Sequence, residues 1–172
     1  MGWTTPRTWV ANETVTAAQM NTHVRDNVAY LYEAKFGLFG RLAALTVPNA
    51  AWTSIEWDFD VEQEPTMWPQ GSYEERIAPP LAGIWLVNVL IRWEPSTASG
   101  SRSVRLQKNG TDLIGQDKQT IANGRQHLSV TAAVRLAGSS DYVNVHVYQD
   151  GGADDTLLYA VERTISLTWM GA

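Results

Sequence analysis

The chain contains no cysteine, so neither disulfides nor thiolate chemistry contributes to its fold or function. It also lacks any apolar run near the roughly 18 residues that are needed to cross a bilayer. No charged-then-apolar leader segment opens the sequence. These absences predict a protein that is made in the cytoplasm without a signal peptide and that does not insert into a membrane.

Positive charge is scarce and scattered. The 13 Lys and Arg residues are outnumbered by 18 Asp and Glu residues, which gives a formal net charge of −5, and the basic residues form no stripe. A phosphate backbone would on average be repelled by such a surface. The composition therefore predicts that nucleic acid is not a partner.

Motifs for catalysis or cofactor binding are also missing. The three histidines, His23, His127 and His146, accompany no G-x-S-x-G elbow, H-E-x-x-H, Walker loop or G-x-G-x-x-G. We therefore expect no enzymatic activity, no cofactor and no resident metal. What the chain does have is eight tryptophans in 172 residues, 44% of which are hydrophobic. This number of hydrophobic residues is enough for one core with an appendage, and tryptophan is also favoured at binding interfaces.

Residues 1–15 form a polar arm that carries Trp3, Pro6, Arg7 and Trp9. Such an arm cannot bury its own indoles. We interpret these four residues as an anchor that docks into another protein. The alternative is that the arm folds back onto the chain's own domain.

A helix is predicted from about Ala17 to Ala34, and Gly37 marks its end. Thr16 and Gln19 have the spacing of a capping box. An oligomer seam is predicted from residues that recur at intervals of three and four: Met20, Val24, Asn27 and Leu31. In parallel identical helices Asn27 would fix the register. The alternative is that the helix packs on its own β domain.

From Leu42 onward the hydrophobic period changes from 3.6 to 2. The change predicts an arm and helix in residues 1–40 and a β domain in residues 41–172. The alternating segments are 55–61, 104–106, 128–136, 143–147 and 165–169, and turn signals such as Asn109-Gly110 separate them. Seven or eight strands without an intervening helix predict a mainly β fold, an antiparallel sandwich preceded by an extended arm and one α-helix.

The segment Gly83–Glu94 breaks this alternation because it is apolar on both faces for most of its length. Since a sheet of a single sandwich has one wet face, such a strand needs a second cover, either the helix or another subunit. We predict a subunit interface from the apolar residues of this strand and two outward tyrosines: Trp85, Val87, Val89, Ile91, Tyr142 and Tyr148.

Three further features are open to two interpretations each. The acidic column Glu56, Asp58, Asp60, Glu62 and Glu64 is expected to be a solvated strand edge, or else to meet basic residues or calcium. A loop with Asp150, Asp154 and Asp155 is the better calcium candidate. Trp68 is expected to clamp a loop onto the core, or else to stack on a sugar ring.

From about Trp52 to its end the sequence resembles the C1q/TNF-like jelly roll. The resemblance rests on Gly83-Ile84-Trp85-Leu86-Val87, on Arg105 to Gly110, on Leu136 to Val145 and on Thr164 to Trp169. Ser140 stands where that family usually has Gly, and the last strand lacks the usual Phe-x-Gly. The resemblance implies a jelly-roll sandwich that forms a homotrimer through apolar, aromatic-rich inner sheets.

The segments Thr5 to Val10 and Val15 to Asn27 resemble the opening of many tailed-bacteriophage structural proteins, which join this piece to varied β modules. The two resemblances together imply a trimeric, non-enzymatic virion surface component on the tail or capsid. Its arm would bind other virion proteins and its jelly roll would meet a host surface glycan or receptor. A minor tail or receptor-binding protein is the first expectation. The alternatives are a capsid decoration or head-fibre protein, and a soluble C1q-like carbohydrate-binding module.

Overall fold

The computed structural model describes residues 4–33, 35–64, 66–68, 72–95, 99–121, 125–153, 155–157 and 164–171. The chain divides into two compact units, Met1–Ala34 and Lys35–Ala172. The predicted boundary after residue 40 lies too late, because Phe36–Gly40 forms a strand of the second unit. Gly37 does not cap a helix. It lies inside this strand, where an added Cβ would meet the side chains of Phe39 and Met67 at 2.6 and 2.8 Å.

The first unit contains one helical run. It begins with α1 (Ala17–Met20), continues through a π-helical turn (Asn21–Arg25) and finishes with α2 (Asp26–Tyr32). The predicted capping box is present, since Gln19 N–H donates to Thr16 Oγ1 at 3.2 Å and Thr16 N–H donates to Gln19 Oε1 at 2.8 Å. Among the described residues, no helix is long and apolar enough to cross a membrane.

The second unit is a sandwich of two antiparallel sheets. Its strands are β1 (Phe36–Gly40), β2 (Leu45–Val47), β3 (Thr53–Ser54), β4 (Phe59–Glu64), β5 (Ala82–Trp93), β6 (Ser101–Lys108), β7 (Asp112–Thr120), β8 (Gln126–Ala137), β9 (Val143–Gln149), β10 (Asp155–Leu157) and β11 (Thr164–Gly171). The large sheet has the order β2-β10-β5-β11-β1-β4, with β8 also paired to β5, and the small sheet has the order β3-β9-β6-β7.

The core lies between the two sheets and is built by the period-2 pattern of the strands. Val104 and Leu106 of β6 and Val143, Val145 and Val147 of β9 point inward from the small sheet. The even-numbered residues of β8 from Leu128 to Leu136 and the odd-numbered residues of β5 point inward from the large sheet. The predicted alternation of burial is found in β8 and β11. In β6 it is not, because Ser103 and Gln107 on its outer side are buried as well, at 1% and 6% exposed.

The acidic column does not occupy one strand face. The chain crosses from the small sheet to the large sheet between β3 and β4, and Ile55 and Trp57 are fully buried in that crossing. Asp58 accepts backbone hydrogen bonds from Leu42 and Ala43 at 2.8 and 3.0 Å. Asp60, Glu62 and Glu64 belong to β4 at the edge of the large sheet, whereas Glu56 and Asp58 precede it, so the prediction of one strand edge with all five residues is wrong.

The Asn109-Gly110 turn joins β6 to β7 as the sequence predicts. Asn109 and Gly110 both have positive φ, 53° and 76°, which is the geometry of a type I′ hairpin turn. Asp141 fastens this turn from the neighbouring loop. It accepts hydrogen bonds from Asn109 Nδ2 at 2.9 Å, from Ala137 N–H at 2.8 Å and from Lys108 Nζ at 2.8 Å.

These donors, of which the Asn109 amide is the strongest, lower the pKa of Asp141 from 3.8 to about 2. Because the folded pKa is depressed, the carboxylate stabilises the fold above pH 3.8 and loses that contribution as the pH falls towards 2. We expect Asp141→Asn to have a lower urea midpoint than the wild type at pH 6. The two midpoints should converge on acidification towards pH 2. A gap that stays constant with pH would show that the charge of Asp141 does not stabilise the turn.

Candidate functional site

The predicted subunit interface includes four residues of β5 that the structure places in the core. Trp85, Val87, Val89 and Ile91 each have 0% of their surface exposed within one protomer. A side chain without exposed surface has none left to bury against a second copy. The assignment of these four residues to a subunit interface is therefore wrong, because the odd-numbered face of β5 points between the two sheets.

Tyr142 and Tyr148 lie on the small sheet, on the opposite side of the sandwich from the outer face of β5. Tyr148 packs against Trp52 with ring centroids 5.2 Å apart and planes at 38°. Tyr142 lies beneath the guanidinium of Arg76, 4.6 Å from its ring centroid. The two tyrosines thus share no surface with β5, and the predicted interface is divided between two sheets and the core.

The even-numbered residues of β5 lie on the outer face of the large sheet. The backbone register places Phe36, Thr168, Leu86 and Ala133 in one row, and Leu38, Ser166, Asn88 and Thr131 in the next. Leu86 is 38% exposed at the middle of the sheet. Asn88, the central polar residue, already accepts a hydrogen bond from Thr131 Oγ1 at 2.8 Å.

We call this surface the outer face: it consists of the two rows together with Ile84, Leu90, Ser129 and Thr164. Its side chains are small or apolar, with few long charged groups in the centre. Small side chains let a second surface approach the sheet closely, and the leucines supply apolar area to bury. The outer face is therefore suited to contact with another protein surface.

Charged side chains lie at both sides of the outer face. Arg135 and His127 are exposed on β8, next to Ile84 and Arg92 in the register. Asp117 of β7 lies at the same side, since its carboxylate accepts a hydrogen bond from Ser129 N–H at 3.2 Å. On the other side, Glu62 of β4 is exposed and pairs with Leu38.

The predicted anchor residues Pro6, Arg7 and Trp9 belong to a folded segment of the first unit, and Trp3 lies outside the described residues. Arg7 forms an ion pair with Glu13, and its guanidinium lies 4.8 Å from the Trp9 ring centroid. The arm also folds back on the helix. Thr4 N–H donates to Asn27 Oδ1 at 2.9 Å, and Asn27 Nδ2 donates to Thr4 O at 2.7 Å. The arm is therefore not simply extended.

The predicted helical seam is interrupted. Asn27 is only 4% exposed and its amide is engaged by Thr4, so it is not available to fix the register of a neighbouring helix. Met20 and Val24 remain exposed, and the Leu31 side chain lies outside the described residues. The π-helical turn has more residues per turn than an α-helix. It therefore shifts the phase of the pattern between Met20 and Asn27.

Two smaller hypotheses are decided by burial and by hydrogen bonding. Trp68 is 5% exposed and its indole N–H donates to Glu74 O at 3.2 Å, so it is a core residue, as the first interpretation expected. Asp150 accepts the Ser101 hydroxyl at 3.0 Å, which leaves it committed to a turn. The side chains of Asp154 and Asp155 lie outside the described residues, in which no group of three or more metal-ligating side chains is found.

The sheet order and the core together define a TNF-like jelly roll. The Eiger TNF from S. frugiperda superposes with a TM-score of 0.59 at 17% identity, covering 80% of this chain and 93% of that chain. Murine APRIL at pH 5.0 superposes with a TM-score of 0.60 at 11% identity, covering 80% of this chain and 100% of that chain. No family model and no curated protein matches the sequence. The structural likenesses establish the fold of the second unit.

Proposed function

We propose that the chain is a non-enzymatic, homotrimeric surface component of a tailed-bacteriophage virion, a minor tail or receptor-binding protein. The outer face of the large sheet is the observation that carries the proposal. The proposed subunit interface therefore differs from the one predicted from the sequence, because it is formed by Leu86 and its neighbours and not by Val89 and its neighbours. When three copies bury this face against one another, the second face of the doubly apolar strand β5 is covered.

The resemblance of the β domain to the C1q/TNF-like jelly roll is what favours three copies over two. The charges do not separate the two cases. In a two-fold dimer residue i of one copy meets residue j of the other, so Arg135 can face Glu62 in a pair as well as in a ring.

The first unit supports attachment to a larger assembly. It exposes Trp9 together with several aliphatic side chains: Val10, Val15, Met20, Val24 and Val28. An exposed apolar surface of this kind on a small unit is typical of a protein-binding surface. We propose that it docks onto another virion protein. The resemblance of this segment to the opening of phage structural proteins supports the same conclusion.

A capsid decoration or head-fibre protein would use the same two surfaces. It would differ only in the protein that receives the first unit. The two roles are separated by locating the chain in particle images, with a label on the second unit marking either the head or the tail.

Deletion of residues 1–15 tests the proposal. We expect both the full chain and the truncated chain to sediment with the mass of three protomers, because the outer face is intact in both. Only the full chain should be found in purified phage particles, as measured by mass spectrometry of the virions. The reason is that the deletion removes Trp9 and the Arg7–Glu13 ion pair from the anchor surface.

Truncated protein incorporated at the level of the full chain would refute the anchor. A full chain that sediments as a single protomer at micromolar concentration would refute the trimer. The exposed residue Thr120 offers a control: Thr120→Ala on the small sheet should change neither result.

A further inference from the structure

The outer side of the small sheet contains an open cavity of about 300 Å³. Its lining includes Ser54, Glu75, Arg76, Tyr142, Asn144 and His146. This volume is at the lower end of the roughly 300–1,000 Å³ range of small-molecule sites. The cavity therefore has room for one small ligand.

The floor of the cavity is set by strand register. Ser54 of β3 pairs with His146 of β9, and His146 pairs with Arg105 of β6, so these three residues form one row across the sheet. Asn144 lies two residues along β9 on the same face. Because strands hold side chains more firmly than loops do, the floor is preorganised for a ligand.

Four polar atoms on this floor are buried without a hydrogen-bond partner in the described part of the chain. They are Ser54 Oγ, Asn144 Oδ1, His146 Nδ1 and Arg105 Nε. Asn144 is only 5% exposed. An unsatisfied buried polar atom costs about 1–3 kcal/mol, so a group of them in one cavity opposes folding. Such a group is explained if a ligand with hydroxyls engages these side chains after small rotations about their terminal torsions.

Arg76 and Tyr142 line one wall of the cavity, and two further contacts between an arginine and an aromatic ring lie close by. The Arg76 guanidinium lies 4.1 Å from the Tyr73 ring centroid and 4.6 Å from that of Tyr142, and Arg105 lies 4.1 Å from the Trp52 centroid. Tyr73 holds its ring there at the cost of a positive φ of 57°, which is unusual for an aromatic residue. The wall therefore offers the planar N–H donors of Arg76, whose guanidinium lies against the Tyr142 ring.

The charges around the cavity compensate each other. Glu75 pairs with Arg76 at 3.2 Å, and Glu56 lies on the same rim. Burial, and then the charge of Arg105, lower the pKa of His146, although Glu75 acts in the opposite direction. His146 is therefore neutral at neutral pH. Both carboxylates of the rim have a guanidinium partner, Arg76 for Glu75 and Arg41, at 3.8 Å, for Glu56.

We propose that this cavity binds a neutral saccharide, with Ser54, Asn144 and His146 engaging ring hydroxyls and the side chain of Arg76 closing over the sugar. A sugar hydroxyl both donates and accepts, which matches a floor that offers both kinds of atom. The inference deepens the proposed virion function, on which its biological setting rests. A trimer would present three such sites, and their weak individual affinities would combine into avidity.

The experiment measures binding of D-glucose, D-galactose, N-acetyl-D-glucosamine and L-rhamnose to the full chain by saturation-transfer difference NMR, with N-acetylneuraminate as an anionic probe. At least one neutral sugar should receive saturation. Asn144→Leu should weaken its binding by about tenfold or more, and Ser54→Ala by a smaller factor. Ser139→Ala, an exposed serine beyond β8, is the matched control and should bind as the wild type does.

The melting temperature separates a ligand site from a structural role. If Asn144 is held unsatisfied for a ligand, Asn144→Leu should melt at or above the wild-type temperature while binding is lost. Any of three results would overturn the site. None of the neutral sugars receives saturation, or N-acetylneuraminate alone receives it, or a neutral sugar receives it equally from wild type, Asn144→Leu and Ser54→Ala. Because the cavity lies within one protomer, a monomeric variant should still bind. If the wild-type chain is trimeric and enters particles but binds none of the neutral sugars, this inference fails while the proposed virion function stands.

Discussion

Leu86→Asp should convert the trimer into a folded monomer. Leu86 is 38% exposed in the middle of the outer face, so a carboxylate there is hydrated in the single protomer and is desolvated only when copies associate. Burying an uncompensated charge costs several kcal/mol. A cost of about 3 kcal/mol at each contact between copies would weaken the association at that contact by more than a hundredfold. A ring repeats the cost at every contact. Sedimentation at micromolar concentration should therefore give the mass of one protomer, with the circular dichroism spectrum of the wild type.

The matched control is Leu113→Asp. Leu113 is 57% exposed on β7 of the small sheet, so the same change is made on a leucine outside the outer face. This variant should remain a trimer. If Leu86→Asp also remains a trimer, or if both variants dissociate equally, the outer face is not the interface between copies.

Val89→Asp should abolish the fold itself. Val89 is 0% exposed between the two sheets, so the variant loses the roughly 1.5–3 kcal/mol of a buried aliphatic side chain and must also desolvate a carboxyl group. Their sum is comparable to the roughly 5–15 kcal/mol of net stability that a domain has. We expect insoluble or unfolded protein by circular dichroism and by urea titration, whatever the concentration.

Leu86→Asp is the internal control for this result, since it introduces the same side chain three residues earlier on the opposite face of the same strand. A soluble, folded monomer from Val89→Asp would mean that the odd-numbered face of β5 is open in the single protomer. In that case the original sequence-based interface would be restored and the outer face would lose its role.

Helix and turn signals in the sequence were reliable where one local interaction decides the structure. The Thr16–Gln19 capping box and the Asn109-Gly110 turn both form, because each depends on side chains and torsions within a few residues. The Gly37 signal failed for a complementary reason. A glycine can end a helix, or it can leave room above a strand for neighbouring side chains, here Phe39 and Met67. The sequence does not distinguish these two uses, and only the packing does.

The acidic column and the helical seam failed because both assume unbroken regular structure. The acidic column passes through the crossing between the two sheets at Ile55 and Trp57. Acidic and apolar residues still alternate there, although the chain does not form one continuous strand. The seam passes through a π-helical turn that no simple periodicity reveals. The cavity was missed entirely, since Ser54, Arg76 and His146 are far apart in the sequence and meet through strand pairing and loop placement.

The sequence by itself determined that this protein has a single mainly β domain behind a helical segment, with strands whose alternate residues form a core. The reason is that alternation and turn chemistry are local properties that one chain carries along its length. Only the tertiary structure decided which face of the doubly apolar strand β5 is interior. Both faces of the segment are apolar in the sequence, and the packing of the small sheet against the large sheet is what buries Val89 and leaves Leu86 38% exposed.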